Sequence, residues 1–197
     1  MNFIKFIKTI TEIIDLSEEE FEYARTPFIP KKLEKKRILI GEGEICKYTV
    51  FVEKGLLRSF KTYDKGNESI RQFALSGWWT ADLYSFLTNK PTTFNIEALE
   101  DSELLLITKP SWDLLLEKVP AFERYFRVLI QNNLINAQRR LIGSFTETAE
   151  EKYKKLLREF PDILQRVPQH MIASYLGITR ETLSRTRSQI ITKSCCV

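Results

Sequence analysis

Arg180, Glu181, Ser184 and Arg185 carry the most specific chemistry in this chain. They stand on the solvent side of the second of two short helices predicted over 169–190, QHMIASYLGITRETLSRTRSQI. An arginine can bond guanine O6 and N7 in a bidentate way, a carboxylate can accept from cytosine N4, and a hydroxyl suits any base edge. Gln169, Thr179, Thr182 and Arg187 are of the types that bond phosphate oxygens, which position a protein on a duplex without reading it. This is the chemistry of a helix-turn-helix that offers its second helix, 179–191, to DNA. Catalytic and metal sites are not expected. His170 is the only histidine and already lies in the first motif helix, and no nucleophile–base or metal-ligand spacing occurs.

The surrounding residues must hold that helix in place. Ile172, Leu176, Ile178 and Leu183 supply a small apolar seam, and Ala173 stands where the two helices cross. Gly177 falls where the turn needs a positive φ. Thr179 is a candidate N-cap for the second helix. The competing reading is an ordinary surface helix pair with solvated charges.

Composition narrows the class. Hydrophobic content of 43% and charged content of 28% suit a soluble globular protein, and a net charge of +4 excludes a polycation that coats nucleic acid. Positive charge gathers locally instead: residues 166–193 hold five Lys/Arg against one acid. Cys46, Cys195 and Cys196 are too few for a disulfide framework, so free thiols in a reducing cytoplasm are expected; the tail pair has no assigned role. Lys5, Lys8 and Glu12 interrupt the apolar N-terminus, which therefore reads as an amphipathic helix with Phe3, Ile7, Ile10 and Ile14 on one face. No stretch is long enough to span a membrane, and a cytoplasmic location follows.

Three regimes run along the chain. Residues 1 to about 25 are helical, with Ser17 capping a second short helix. From Phe28 to about Thr108, short β-rich runs (KRILIGEGE, YTVFVEKGLLRSFKTY, ESIRQFAL, SELLLIT) alternate with turn signals at Gly41–Gly43, Gly55, Asp64–Asn67 and Gly77. That spacing predicts an antiparallel roll interrupted by a helical insert, TADLYSFLTNKP. From Pro110 onward the chain is helical: a helix capped by Ser111, a long one from Pro120 to about Phe145, a break at Gly143-Ser144, and a further helix capped by Thr146 or Thr148. The long helix carries more apolar residues than one roll face requires. It is read as a dimer seam involving Phe122, Phe126, Leu129, Asn133, Ala137 and Leu141, against the alternative of burial within one subunit.

A β-roll, one long helix and a C-terminal helix-turn-helix, with LIGEGE, FVEKGLLR, DKGNE and RETLSR in that order, together resemble the Crp/Fnr family of bacterial transcription regulators. The resemblance implies an α+β protein. Its sensor is an antiparallel β-roll (a double-stranded β-helix, jelly-roll-like) over 1–110, with connecting and dimerisation helices over 111–145 and a winged-helix-like DNA-binding unit over 146–197. The wing is expected to be abbreviated to ILQRVPQ. Thr186 stands where the family usually has an apolar residue. The implied partners are double-stranded DNA, a second copy of the chain and RNA polymerase.

The family's effector site falls here on Trp79, Ala81, Asp82, Leu83, Thr92 and Thr93. Cyclic-nucleotide binders carry Gly-Glu for the ribose and Arg-Ser or Arg-Thr for the phosphate; this chain has Ala81-Asp82 and Thr92-Thr93. Nothing at Thr92 neutralises a phosphate, and only Lys90 is near in sequence, so the expectation is the fold without cyclic AMP and an effector of unknown identity. Packing is the reading for Trp78, Trp79, Tyr84 and Phe86. A second functional reading is a ligand-binding module whose helix-turn-helix is degenerate and works through protein contacts.

Overall fold

The computed structural model describes residues 3–63 and 66–195, with side chains through Ile190. Part of the expected turn at Asp64–Asn67, and Cys196, lie outside the described residues.

The chain opens with α1 (Ile4–Thr11) and α2 (Glu18–Arg25). The apolar stripe of α1 is rotated from expectation. Phe6, Ile10 and the following Ile14 are buried, while Phe3 and Ile7 are only half-buried. The buried Glu53 anchors this helix: its two carboxylate oxygens accept from the backbone N–H groups of Lys5 (2.6 Å) and Phe6 (2.9 Å), satisfying donors that a helix start leaves unpaired. Ser17 caps α2 as expected, and Glu20 makes the cap a reciprocal capping box.

Eight strands follow: β1 (Ile29–Leu33), β2 (Ile38–Ile40), β3 (Tyr48–Lys54), β4 (Leu56–Thr62), β5 (Glu68–Leu75), β6 (Trp79–Thr80), β7 (Asn95–Ala98) and β8 (Ser102–Thr108). They pair antiparallel in two four-stranded sheets, ordered β1-β8-β3-β6 and β2-β7-β4-β5. The SELLLIT run is apolar on both faces because β8 is an inner strand. Leu104 and Leu106 point into the core between the sheets, whereas Leu105 and Ile107 point outward, into the core formed with α1 and the later helices. Gly55 makes the tight link from β3 to β4 at φ +113, and a Cβ there would lie 2.2 Å from Ser102 Oγ, so both conformation and space demand glycine. The insert is α3 (Leu83–Thr88).

Next come α4 (Lys109–Lys118) and α5 (Ala121–Thr146). Thr108, rather than Ser111, caps α4: its hydroxyl accepts from the Ser111 N–H, and Pro110 occupies the first turn, where no N–H is needed. The expected break at Gly143-Ser144 is absent. The Ser144 hydroxyl donates back to the Leu141 carbonyl (2.6 Å), and the Glu147 carboxylate lies where a Cβ on residue 143 would stand. The helix therefore runs on to Thr146, and a Thr148–Glu151 capping box starts α6 (Ala149–Glu159). After it come α7 (Ile163–Arg166), α8 (Gln169–Leu176) and α9 (Arg180–Cys195). Among the described residues no strand follows Thr108, so α7 stands where a shortened wing was expected. This helical unit packs on the outer face of the second sheet: Leu56, Phe60, Ile70 and Phe73 meet Tyr153, Phe160, Ile163, Ile172 and Leu183 in one buried cluster.

Candidate nucleic-acid interface and effector site

The turn between α8 and α9 is built as its sequence requires. Gly177 adopts φ +67 with open space around it, so conformation alone explains the glycine. The Ile178 N–H donates to the Ala173 carbonyl at 3.0 Å, closing the end of α8. The Thr179 hydroxyl accepts from the Thr182 N–H (3.1 Å) and so caps α9. Ile172, Ala173 and Leu183 are buried, and Leu176 and Ile178 half-buried, in the seam between the helices.

That seam decides which residues of α9 face outward. Leu183 and Thr186, three apart, are buried; Arg180, Glu181, Ser184 and Arg185 are exposed together. Among the described residues none of Arg180, Arg185 and Arg187 is held in an ion pair. Hydrogen bonds from its own backbone amide and from the Thr179 hydroxyl hold the Glu181 carboxyl below its usual range, so it is an acceptor at neutral pH. Of the four residues expected at phosphates, Gln169 and Thr179 are exposed and Thr182 and Arg187 half-buried; the Thr182 hydroxyl is 3.1 Å from that of Thr179.

Three contacts that the sequence does not reveal fix this unit, two on the roll and one on α5. The Ser174 hydroxyl accepts from the Ile70 N–H (3.0 Å) and donates to the Glu68 carbonyl (2.8 Å), pairing the outer edge of β5 as another strand would. Arg166 forks onto both oxygens of Glu100 (2.8 and 2.7 Å) and donates to the Gly55 carbonyl. Arg140, from distal α5, lies 4.1 Å over the Tyr175 ring. A cavity of about 270 Å³ lies in this junction, walled by Ile70, Arg140, Leu156 and Tyr175.

The expected effector residues separate into two places. Asp82 and Thr92 meet inside the roll: the Thr92 hydroxyl donates to Asp82 Oδ2 at 2.6 Å, and Thr92 is 2% exposed. The other Asp82 oxygen accepts from the Ser85 N–H and caps α3. Leu83 and Thr93 are exposed, and Ala81 is half-buried. Trp79 points to the opposite side of its sheet, where its ring N–H donates to the Tyr125 hydroxyl (2.9 Å) among Phe6, Phe51 and Phe126. It is a core residue, since strand alternation turns it away from Asp82. Phe86 is also buried, while Trp78 and Tyr84 are exposed.

Arg71 is the cation near this pair, and the sequence hides it. It is the extra residue of a bulge where Ser59 pairs with Gln72 and Phe60 with Ile70. Its guanidinium lies 4.3 Å over the Phe94 ring and donates to Ser59 Oγ (3.3 Å) and the Ala81 carbonyl (3.2 Å). Burial lowers its pKa, with Asp82 opposing and Arg140 reinforcing the shift, yet an arginine stays charged. The Arg71 carbonyl accepts from Arg140 at 2.6 Å, so one chain of contacts runs from the roll through α5 to Tyr175 of α8.

The long helix divides in the middle. Phe122, Tyr125 and Phe126 are buried in the subunit's own core, which corrects the expectation that Phe122 and Phe126 face a partner. Leu129 packs at the edge of that core. Beyond it Ile130, Asn133, Leu134, Ala137, Leu141 and Phe145 are all exposed, Leu141 by 62% and Phe145 by 84%. Among the described residues no cluster of His, Cys, Asp and Glu could hold a metal ion, and no helix is long and apolar enough to cross a membrane.

Comparison with known proteins agrees with this architecture. The sequence profile of the cyclic nucleotide-binding domain matches residues 30–119. The chain is similar to the cyclic AMP receptor protein of Thermus thermophilus, 27% identical over 86% of this chain and 80% of that protein. It is also similar to the fumarate and nitrate reduction regulatory protein of Vibrio cholerae, 26% identical over 79% of this chain and 66% of the relative. The structure of FixK2 from Bradyrhizobium japonicum superposes with a TM-score of 0.72 at 23% identity, over 85% of this chain and 86% of that one. A roll with this domain's profile, one long helix and a C-terminal helical unit are thus features in which the chain is similar, along most of its length, to transcription regulators of the Crp/Fnr type.

Proposed function

We propose that the protein binds DNA as a homodimer and reads a palindromic site with Arg180, Glu181, Ser184 and Arg185 of α9. The observation that carries this is the orientation of α9. Its seam residues Leu183 and Thr186 are buried, while the four candidate base-reading side chains stand exposed on one face. Two such helices about one helical turn of DNA apart require half-sites on one face of the duplex. Gln169, Thr179, Thr182 and Arg187 contact phosphates. The exposed distal half of α5 supports the dimer, since Ile130, Leu134, Ala137 and Leu141 recur at spacings of four, three and four, the pattern of a two-helix seam.

The roll is the regulatory unit, and cyclic AMP is not its effector. Thr92 and Asp82 are bonded to each other, and the cation beside them, Arg71, is already engaged by Ser59, the Ala81 carbonyl and the Phe94 ring, so none of the three is free for a cyclic phosphate. Selection from random duplexes at a stated salt concentration tests the DNA reading: a recovered inverted repeat is expected, and sequence-independent recovery overturns it. Titration calorimetry with cyclic AMP is expected to show no binding heat.

A further inference from the structure

Among the described residues Phe145 is the most exposed large apolar side chain, at 84%, on the last turn of α5. The spacing of Ile130, Leu134, Ala137 and Leu141 next falls on Ser144, so Phe145 flanks the seam rather than filling it. A turn of about 100° per residue puts Arg140 on the opposite flank. Arg140 is exposed, and among the described residues no carboxylate lies within ion-pair distance of it. Its guanidinium is nevertheless fixed, because it donates to the Arg71 carbonyl at 2.6 Å and covers the Tyr175 ring at 4.1 Å. Arg140 also walls the junction cavity of about 270 Å³. The lining of that cavity is apolar inside and polar at the rim. Ile70 and Leu156 are buried and Tyr175 and Leu176 half-buried, whereas Ser69, Arg140 and Ser144 are exposed.

A two-fold dimer brings these flanks together. With both helix-turn-helix units on one face of a duplex, the two α5 helices run parallel, their C-terminal ends side by side. In a parallel pair each flank of one helix lies against the opposite flank of the other, and residues about five positions apart in sequence become neighbours. Arg140 and the partner's Phe145 stand at that separation. We propose that the partner's Phe145 seats its ring in this cavity, against Arg140, Tyr175 and Leu176, so that each subunit clamps the C-terminal helical unit of the other. An aromatic ring suits the place: it covers the apolar lining and turns its electron-rich face to a cation without a carboxylate partner. The same contact ties dimerisation to the docking of α8 on β5, since Ile70 and Ser174, which bond that edge, both line the cavity. The proposal rests on the dimer reading above.

The test places the photoreactive side chain p-benzoylphenylalanine at position 145 of the full chain and irradiates dimers mixed from isotopically heavy and light protein. Crosslinks are expected between heavy and light peptides, joining residue 145 to the partner's residues 69–70, 156 or 174–177, which line the cavity. Phe145→Ala is expected to raise the dimer dissociation constant about tenfold in sedimentation. Far-UV circular dichroism should not change, because the ring faces solvent within a subunit. At concentrations where the variant is still dimeric, amide exchange at Ile70 and Leu176 should run several-fold faster than in the native protein. Crosslinks confined to the partner's α5 or to the same chain, or a dimer that gives no crosslink, overturn the proposal and leave the dimer standing. A dissociation constant or an exchange rate indifferent to Phe145→Ala overturns it equally. A native chain that stays monomeric at every concentration removes the dimer reading and this inference with it.

Discussion

Arg185 is exposed on the face of α9 that Leu183 and Thr186 turn outward, and among the described residues no carboxylate lies within ion-pair distance of it. Arg185→Ala is expected to cost about 1–3 kcal/mol on the selected site and to relax selection at one base pair. Competition binding with single-base variants of the site checks this, and uniform weakening on every sequence would show that the residue touches only phosphate. In the roll, Thr92 bonds the buried Asp82 carboxylate at 2.6 Å. Thr92→Val keeps the shape but takes away that donor, and a loss of about 1–3 kcal/mol is expected in denaturant unfolding. At this scale the sequence is most legible where a residue's role is local: Gly177, Thr179 and the outward face of α9 follow from helix geometry. Arg71 does not, because the bulge that aims it exists only in the pairing of β4 with β5.

Helix α5 serves two masters. Its first half completes the core of its own subunit through Phe122, Tyr125 and Phe126, and its second half presents unpaired apolar side chains. Sequence periodicity sees a single apolar helix and cannot say where its cover changes. Leu134→Glu/Leu141→Glu is expected to convert a dimer to a monomer in sedimentation while leaving far-UV circular dichroism unchanged, since both side chains face solvent within a subunit. Helix α8 packs on β5 through Ile172 and Tyr175 and bonds its edge through one hydroxyl. Ser174→Ala leaves the Ile70 N–H and Glu68 carbonyl without that partner, and faster amide exchange at Ile70 is expected, with about 1 kcal/mol less docking stability. The caps at Ser17 and Thr148 are legible because both bonds of the box lie within four residues. The cap at Thr108 is less so, because two hydroxyls three residues apart compete and only the end of β8 chooses between them.

Across the whole molecule, the pairing of Arg166 with Glu100 links the C-terminal helical unit to the roll. Hydrogen bonds from Arg166 hold the Glu100 carboxyl below its usual range against the opposing effect of burial. A carboxyl lowered in the folded state contributes stability that is full above its unfolded value and is lost as pH falls through the folded one. Docking measured by limited proteolysis is therefore expected to be steady from neutral pH down to about 4 and to loosen only below it, while Glu100→Gln loosens it throughout. By itself the sequence determined the order of parts, namely roll, insert, long helix and helix-turn-helix, because alternation, helical spacing and turn residues are written within short windows. It also determined the chemistry of α9. Only the tertiary structure decided that Trp79 belongs to the core, that Arg71 stands by Asp82, and that α5 changes role midway. Each of these depends on which distant strands pair and which faces they cover, and no local pattern encodes that.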